Sequence, residues 1–166
     1  ARRSPPSPFD SATAQVNDTT TDATVNLTAS TQLEGASAQY VFTATLSNAS
    51  QGVTTIHTDQ GDITVADGQT VGTLAIDAHN GEDVYNDGSS LSATIQSVSG
   101  GNFENLTIGT ASATAQVTDT ITAATVNLSA STVSEGAVAN YTFTATLSDA
   151  SEGVTTVHTD QGDITI

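Results

Sequence analysis

The 166 residues include no cysteine, methionine or tryptophan, and basic residues are almost absent. Without cysteine, no disulfide can hold the fold. Only Arg2 and Arg3 are basic, against 18 acidic residues, and the net charge is −16. Such a chain repels nucleic-acid phosphates and anionic lipid, so we expect no nucleic-acid partner. No apolar run approaches the ~20 residues that span a bilayer, so we expect no membrane insertion either.

A long block of sequence occurs twice, 101 residues apart. Residues 23–65 return as residues 124–166, with 33 of 43 positions identical. The segment SATAQVND at 11–18 returns at the same offset as SATAQVTD at 112–119. We therefore predict a tandem array with about 101 residues per repeat. Arrays of near-copies are typical of spacers, stalks and multivalent surfaces.

The repeat predicts four parts in the chain. Residues 1–10, which hold all three prolines, read as a leader or a cloning remnant. Residues 11–22 correspond to the C-terminal strand of a preceding repeat and its linker, and residues 23–123 form one complete β-sandwich repeat. Residues 124–166 correspond to the N-terminal part of a following repeat. We expect its strands to superpose on those of 23–65, with a neighbouring molecule or a continuation of the chain against their open face.

Alternation with period two predicts an all-β fold. In QYVFTATLS, Tyr40, Phe42, Ala44 and Leu46 fall on one face of a strand, and Thr, Val and Ile are frequent throughout. About seven such runs, separated by turns every 8 to 12 residues, favour tandem immunoglobulin-like β-sandwiches with Greek-key connections. An open barrel is the alternative.

The acidic residues are concentrated in turns at strand ends. Calcium takes six to eight hard oxygens, and loops gathered at one end of a sandwich can supply them. Crowded carboxylates without a cation would repel one another. The alternative is an acidic surface that only keeps the chain soluble. The predicted Ca²⁺ ligands are eight of the acidic residues: Glu34, Asp59, Asp62, Asp77, Glu82, Asp83, Asp119 and Glu135. Asp87 also lies in such a turn but is not in this set.

The order of several short motifs resembles a Calx-beta-type immunoglobulin-like domain. These motifs are Ser134-Glu135-Gly136 before YTFTATLS, TDQGD at 58–62, Asp-Gly-Gln at 67–69, and Val117-x-Asp119. The resemblance implies calcium at one sandwich end or at domain junctions, with ligands at Glu34, Asp59 or Asp62, Asp77, Asp83 and Asp119. The stretched segment IDAHNGEDVYND departs from the paired acids usual in that family.

The acidic, Thr-rich tandem is also similar to the extender repeats of giant type I-secreted RTX adhesins. That similarity implies a stalk segment, rigidified by calcium, at the surface of a Gram-negative bacterium and supporting attachment or biofilm formation. Its partners would be neighbouring repeats of the same chain or assembly. The alternative is a ligand-binding module for sugar, ice or protein, or a self-assembling filament subunit. We expect no enzyme, since no GxSxG elbow occurs and the three histidines lack the partners of a metal site.

Overall fold

A computed structural model describes residue 2 and residues 12–166. The predicted leader at 1–10 therefore lies almost wholly outside the described residues. Within residues 12–166 the secondary structure is strand only, which confirms the all-β prediction. The complete repeat contains β1 Asp22–Ala29, β2 Thr31–Leu33, β3 Gln39–Leu46, β4 Thr54–Thr58, β5 Gly61–Val65, β6 Val71–Asp77, β7 Ser89–Gly100, β8 Asn105–Ile108 and β9 Ser112–Thr118.

Two sheets pack face to face in the complete repeat. A four-stranded sheet has the order β6-β3-β1-β8, and a five-stranded sheet has the order β2-β9-β7-β4-β5. One apolar core lies between them and draws side chains from both sheets. Two separate sheets favour the sandwich over the open barrel. Immunoglobulin-like, Greek-key connectivity is a finer description and stays a prediction.

The period-two alternation is confirmed in the strands that build this core. Tyr40, Phe42, Ala44 and Leu46 of β3 are buried, and the residues between them face outward. Full burial of a side chain the size of Phe42 is worth about 1.5–3 kcal/mol. These strands therefore hold the sandwich together and fix where its end loops lie.

Residues 124–166 repeat the local pairing of the first repeat without its core. They form β10 Val126–Ala130, β11 Phe143–Leu147, β12 Thr156–Thr159 and β13 Gly162–Thr165. β10 pairs with β11 in the register of β1 with β3, shifted by 101 residues. Leu128 is 55% exposed where its counterpart Leu27 is 1% exposed. Tyr141, expected on a core face, is 90% exposed. No second sheet packs on these hairpins within the described residues.

Residues 12–21 form no strand, although the sequence predicts one in residues 11–22. The same letters form β9 at 112–118, where β2 and β7 supply the hydrogen-bonding partners on either side. A strand needs such partners for its backbone groups. No strand pairs with residues 12–21 in the described part of the chain. Val16 is fully exposed where its counterpart Val117 is 1% exposed. Within the described part of the chain, no helix is long and apolar enough to cross a membrane.

Candidate metal centre

The strand order brings three acidic residues to one end of the sandwich. β2 runs parallel to β9, so both strands end at the same edge of the sheet. β7 runs antiparallel to β9 and therefore begins at that edge. Glu34 directly follows β2, Asp119 directly follows β9, and Asp87 lies two residues before β7. The three carboxylates thus meet although they are far apart in sequence.

Glu34, Asp87 and Asp119 form a compact carboxylate cluster. One carboxylate oxygen from each lies within 4.8 Å of the other two. Glu34 is only 7% exposed. Its Oε2 atom and the Oδ1 atom of Asp119 are buried and accept no hydrogen bond. Burying charged oxygens without a partner is strongly unfavourable, so the arrangement calls for a cation.

The second oxygen of Glu34 anchors the chain that leaves the repeat. Glu34 Oε1 accepts hydrogen bonds from the backbone N–H of Thr120, at 3.0 Å, and from its hydroxyl, at 2.9 Å. Both donors lie directly after Asp119. The carboxylate therefore joins the cluster to the linker between the repeats.

Asn80 adds a neutral oxygen to the same region. Its backbone C=O accepts from the N–H of Gly35, beside Glu34, at 3.1 Å. Its side-chain amide donates to the backbone C=O of Asp87 at 3.0 Å. Asn80 is 7% exposed, and its Oδ1 atom is buried without a donor. Three buried oxygens in this region therefore have no hydrogen-bond donor: Glu34 Oε2, Asp119 Oδ1 and Asn80 Oδ1.

The electrostatics of the loop favour a positive charge. Partial loss of hydration raises the pKa of Asp87 above its usual 3.8, and the charge of Asp83 raises it further. The charges of Glu34 and Asp119 act in the same direction. Crowded carboxylates of this kind take up a proton or a cation.

Carboxylate oxygens are hard ligands, and three of them together fit Ca²⁺ better than a softer metal. Water would complete the six to eight ligands that calcium takes. The donor set therefore fits the ion expected from the sequence. Glu34 and Asp119 belong to the predicted ligand set, whereas Asp87 and Asn80 do not.

Comparison with known families matches the LapA domain to residues 18–120, which is most of the chain. The chain belongs to the LapA domain family. This domain is part of the LapA large adhesin family, so the chain is an adhesin-associated module, and the family indicates a cell-surface or extracellular location. No curated protein and no solved structure matches the chain. The LapA match does not test the resemblance to a Calx-beta-type domain, which stays a prediction.

The match to the LapA domain begins at Asp18 and ends at Thr120. It therefore covers all nine strands of the complete repeat, together with residues 18–21 before them and 119–120 after them. Asp18 is the counterpart of Asp119, one repeat earlier. The family unit thus includes every member of the carboxylate cluster.

Two further predicted ligands, Glu82 and Asp83, lie on the loop of the LapA domain that carries Asp87, and Asp77 ends β6 directly before that loop. The carboxylate of Glu82 shares the single hydroxyl hydrogen of Thr120 with Glu34 and accepts the hydroxyl of Thr122, and both hydrogen bonds lower its pKa below its usual 4.5. Asp83 Oδ1 accepts the N–H of Tyr85 at 2.7 Å. Asp77 Oδ1 accepts the N–H of His79 at 2.9 Å. Their participation in metal binding stays a prediction.

The remaining predicted ligands lie apart from the cluster. Asp59 Oδ1 accepts the N–H of Thr94 at 2.7 Å, where the pairing of β4 with β7 shifts register. Asp62 Oδ1 lies 2.8 Å from Nδ1 of His57. Glu135 is exposed in the loop after β10. None of these three joins the group of Glu34, Asp87 and Asp119 among the described residues.

His57, Asp62 and Ser99 lie in line on the five-stranded sheet. Nε2 of His57 is 3.3 Å from the hydroxyl of Ser99, and the His57 side chain is 40% exposed. The His–Asp pair recurs at His158 and Asp163, again at 2.8 Å. His57 and Asp62 stand directly opposite each other in the β4–β5 hairpin, so strand register alone explains their contact. The expectation that the LapA domain is no enzyme stays a prediction.

Proposed function

We propose that this LapA domain is an extender segment in the stalk of a large cell-surface adhesin, and that Ca²⁺ at the Glu34 cluster stiffens its junction with the next repeat. The proposal includes the finer expectations from the sequence: an RTX-like, type I-secreted adhesin of a Gram-negative bacterium, used in attachment or biofilm formation. The near-identical tandem repeat supports a part used in number.

One observation carries the calcium role. Asp119 is at once a member of the carboxylate cluster and the first residue after β9, where the linker begins. Its buried Oδ1 atom and the buried Oε2 atom of Glu34 have no donor. A cation that binds these oxygens would fix the start of the linker to the body of the repeat.

The linker itself suits this role. Residues 117–122 contain neither glycine nor proline. The carboxylate of Glu34 accepts the backbone N–H of Thr120, and that of Glu82 accepts the hydroxyl of Thr122, so hydrogen bonds already fasten the linker at two of its residues. Neutralising the cluster would remove the repulsion among the acids that make these bonds. Consecutive repeats would then stand at a defined angle.

The test measures calcium binding to the whole chain by calorimetry. It then compares thermal melting of the chain in calcium and in EDTA. A ligand present at a hundredfold excess over its Kd and bound only to the folded state adds about 2.7 kcal/mol. We expect melting to rise by several degrees in calcium for the natural chain, and this rise to vanish in Glu34→Gln.

Glu135→Gln is the matched control, because Glu135 occupies the same place in the repeat but is exposed. We expect it to retain the calcium response. Equal melting of the natural chain in calcium and EDTA would refute the proposal. A full calcium response retained in Glu34→Gln would show that calcium binds elsewhere.

A further inference from the structure

The loop that carries Asp87 also contacts the following repeat. The hydroxyl of Tyr85 donates to the backbone C=O of Ala150, at a distance of 2.6 Å. Ala150 lies in the loop between β11 and β12. The same loop accepts the hydroxyls of Thr120 and Thr122 through Glu82. The loop at 78–88, which we call the clasp loop, thus binds both the linker and the next repeat.

The groups that receive the clasp loop recur at the start of the complete repeat. A shift of 101 residues relates Thr120 to Thr19, Thr122 to Thr21, and Ala150 to Ala49. Their residue types are unchanged in all three positions. Thr19, Thr21 and Ala49 are exposed. The complete repeat therefore displays, at its other end, the same set of partners that the clasp loop binds.

Two of these partners, Thr21 and Ala49, line a cavity of about 330 Å³. Phe103 and Asn48 line it as well. A cavity of about 150 Å³ already holds a benzene ring, so a tyrosine side chain fits the available space. Phe103 offers an aromatic contact in addition to the carbonyl.

We infer that this cavity is the acceptor site for the clasp loop of another copy of the repeat, with the Tyr85 ring against Phe103 and its hydroxyl donating to the C=O of Ala49. The inference rests on the proposed stalk function and names the partner at the second end of the domain. Each complete repeat would then carry a donor loop at one end and an acceptor cavity at the other. This is a heterologous, head-to-tail contact that can continue along an array.

The acidic residues at the acceptor site bear on the strength of this contact. Asp22 and Glu104 line the cavity, and the clasp loop is itself acidic. Asp22 Oδ1 accepts the side-chain amide of Asn105 at 2.7 Å, and Glu104 accepts the N–H of Thr21. The hydroxyl of tyrosine is uncharged, so its hydrogen bond needs no basic partner. Salt and calcium should strengthen docking because they screen or neutralise the remaining repulsion.

The test uses a chain with two complete repeats, made by joining residues 1–117 to residues 17–166. This join keeps the repeat offset and the natural linker of 18–22. Because the sequence has no cysteine, Thr64→Cys in each complete repeat gives two unique, exposed positions for spin labels. Electron–electron distance measurement then reports how narrowly the angle between the complete repeats is defined.

We expect a narrow distance distribution that broadens when the first repeat carries Tyr85→Ala. Tyr85→Phe in that repeat should lower the docked-to-undocked ratio about fivefold, the loss expected for one ordinary hydrogen bond of about 1 kcal/mol. The same substitution in the second complete repeat is the matched control, since that Tyr85 faces the 124–166 end. Circular dichroism checks that every variant is folded.

An unchanged distribution in the first-repeat Tyr85→Ala variant would overturn the inference. The inference would also be overturned if the amide chemical shifts of Ala49 and Phe103 in the two-repeat chain were identical to those in the 166-residue chain. Unchanged shifts would mean that no clasp loop occupies the cavity. Measurement in both calcium and EDTA separates the two proposals. If the calcium role fails but the docking of the clasp loop is correct, the distance distribution will be equally narrow in calcium and in EDTA. It will still broaden in the first-repeat Tyr85→Ala variant.

Discussion

Replacing Leu27 and its copy Leu128 by alanine tests how the two repeats differ in packing. Leu27 is 1% exposed in the core between the sheets, whereas Leu128 is 55% exposed on β10. A buried Leu→Ala change costs about 2–5 kcal/mol, because it loses transfer free energy and leaves a cavity. An exposed leucine loses little when truncated, so we expect less than about 0.5 kcal/mol for Leu128→Ala.

Thermal or urea unfolding of the full chain, followed by circular dichroism, measures both effects. For a domain of this size about 1 kcal/mol shifts the melting temperature by about 4–8 °C. We therefore expect Leu27→Ala to lower the melting temperature of the main transition by on the order of 10 °C or more. Equal shifts for the two variants would refute the reasoning, because Leu128 would then be packed against something in solution.

The remaining predictions concern the effect of pH on calcium binding and stability, and the room for a Cβ atom at two glycines. Calcium should bind more weakly as pH falls through the raised pKa of Asp87, because the proton competes for the same oxygens; calorimetry at pH 7 and pH 4.5 measures this. In EDTA, Asp87 contributes stability below its usual pKa of 3.8, and this is lost as pH rises through the raised value. Glu82, whose pKa is lowered, contributes stability above its usual 4.5, and this is lost as pH falls through the lowered value. The two contributions have opposite signs, so Asp87→Asn and Glu82→Gln separate them: a variant whose melting temperature follows that of the natural chain between pH 3 and pH 6 would contradict the corresponding shift. Gly101→Ala should destabilise the chain more than Gly52→Ala: both glycines have positive φ, but only at Gly101 would the new Cβ lie 2.2 Å from the hydroxyl of Thr54. Urea midpoints that fall equally would show that strain at positive φ is the whole effect.

The sequence predicts the strands of the core well because burial and alternation coincide there. Phe42 and Ala44 face inward and the residues between them face outward. The offset of 101 residues also predicts the register of β10 with β11, since identical letters pair in the same way. Local pattern decides both features, so one sequence is enough to find them.

The loop cluster is harder to predict because it depends on where a long, non-periodic loop folds. Asp87 and Asn80 lie in the loop at 78–88, where no alternation fixes which side chains point inward. Asn80 is buried beside Gly35, which is distant in sequence, and beside Asp87, at the far end of the same loop. The pairing of His57 with Asp62 could have been read from the hairpin, since the two residues are directly opposed across a tight turn.

The exposure of Tyr141 shows another limit of reasoning by analogy. Its letters copy those around Tyr40, whose hydroxyl donates to Ser89 of the second sheet. A period-two pattern states which face of a strand is apolar, but the opposite sheet decides whether that face is buried. Tyr141 has no such sheet within residues 124–166.

The most direct test of calcium stiffening at the junction is a spin-label distance measurement on the 166-residue chain with Thr64→Cys and Thr165→Cys. These are equivalent, exposed positions in the two repeats. If calcium fixes the linker through Glu34 and Asp119, the distance distribution narrows on adding calcium, and Glu34→Gln abolishes the narrowing. A distribution of the same width in calcium and in EDTA, in a chain shown by calorimetry to bind calcium, would contradict the account.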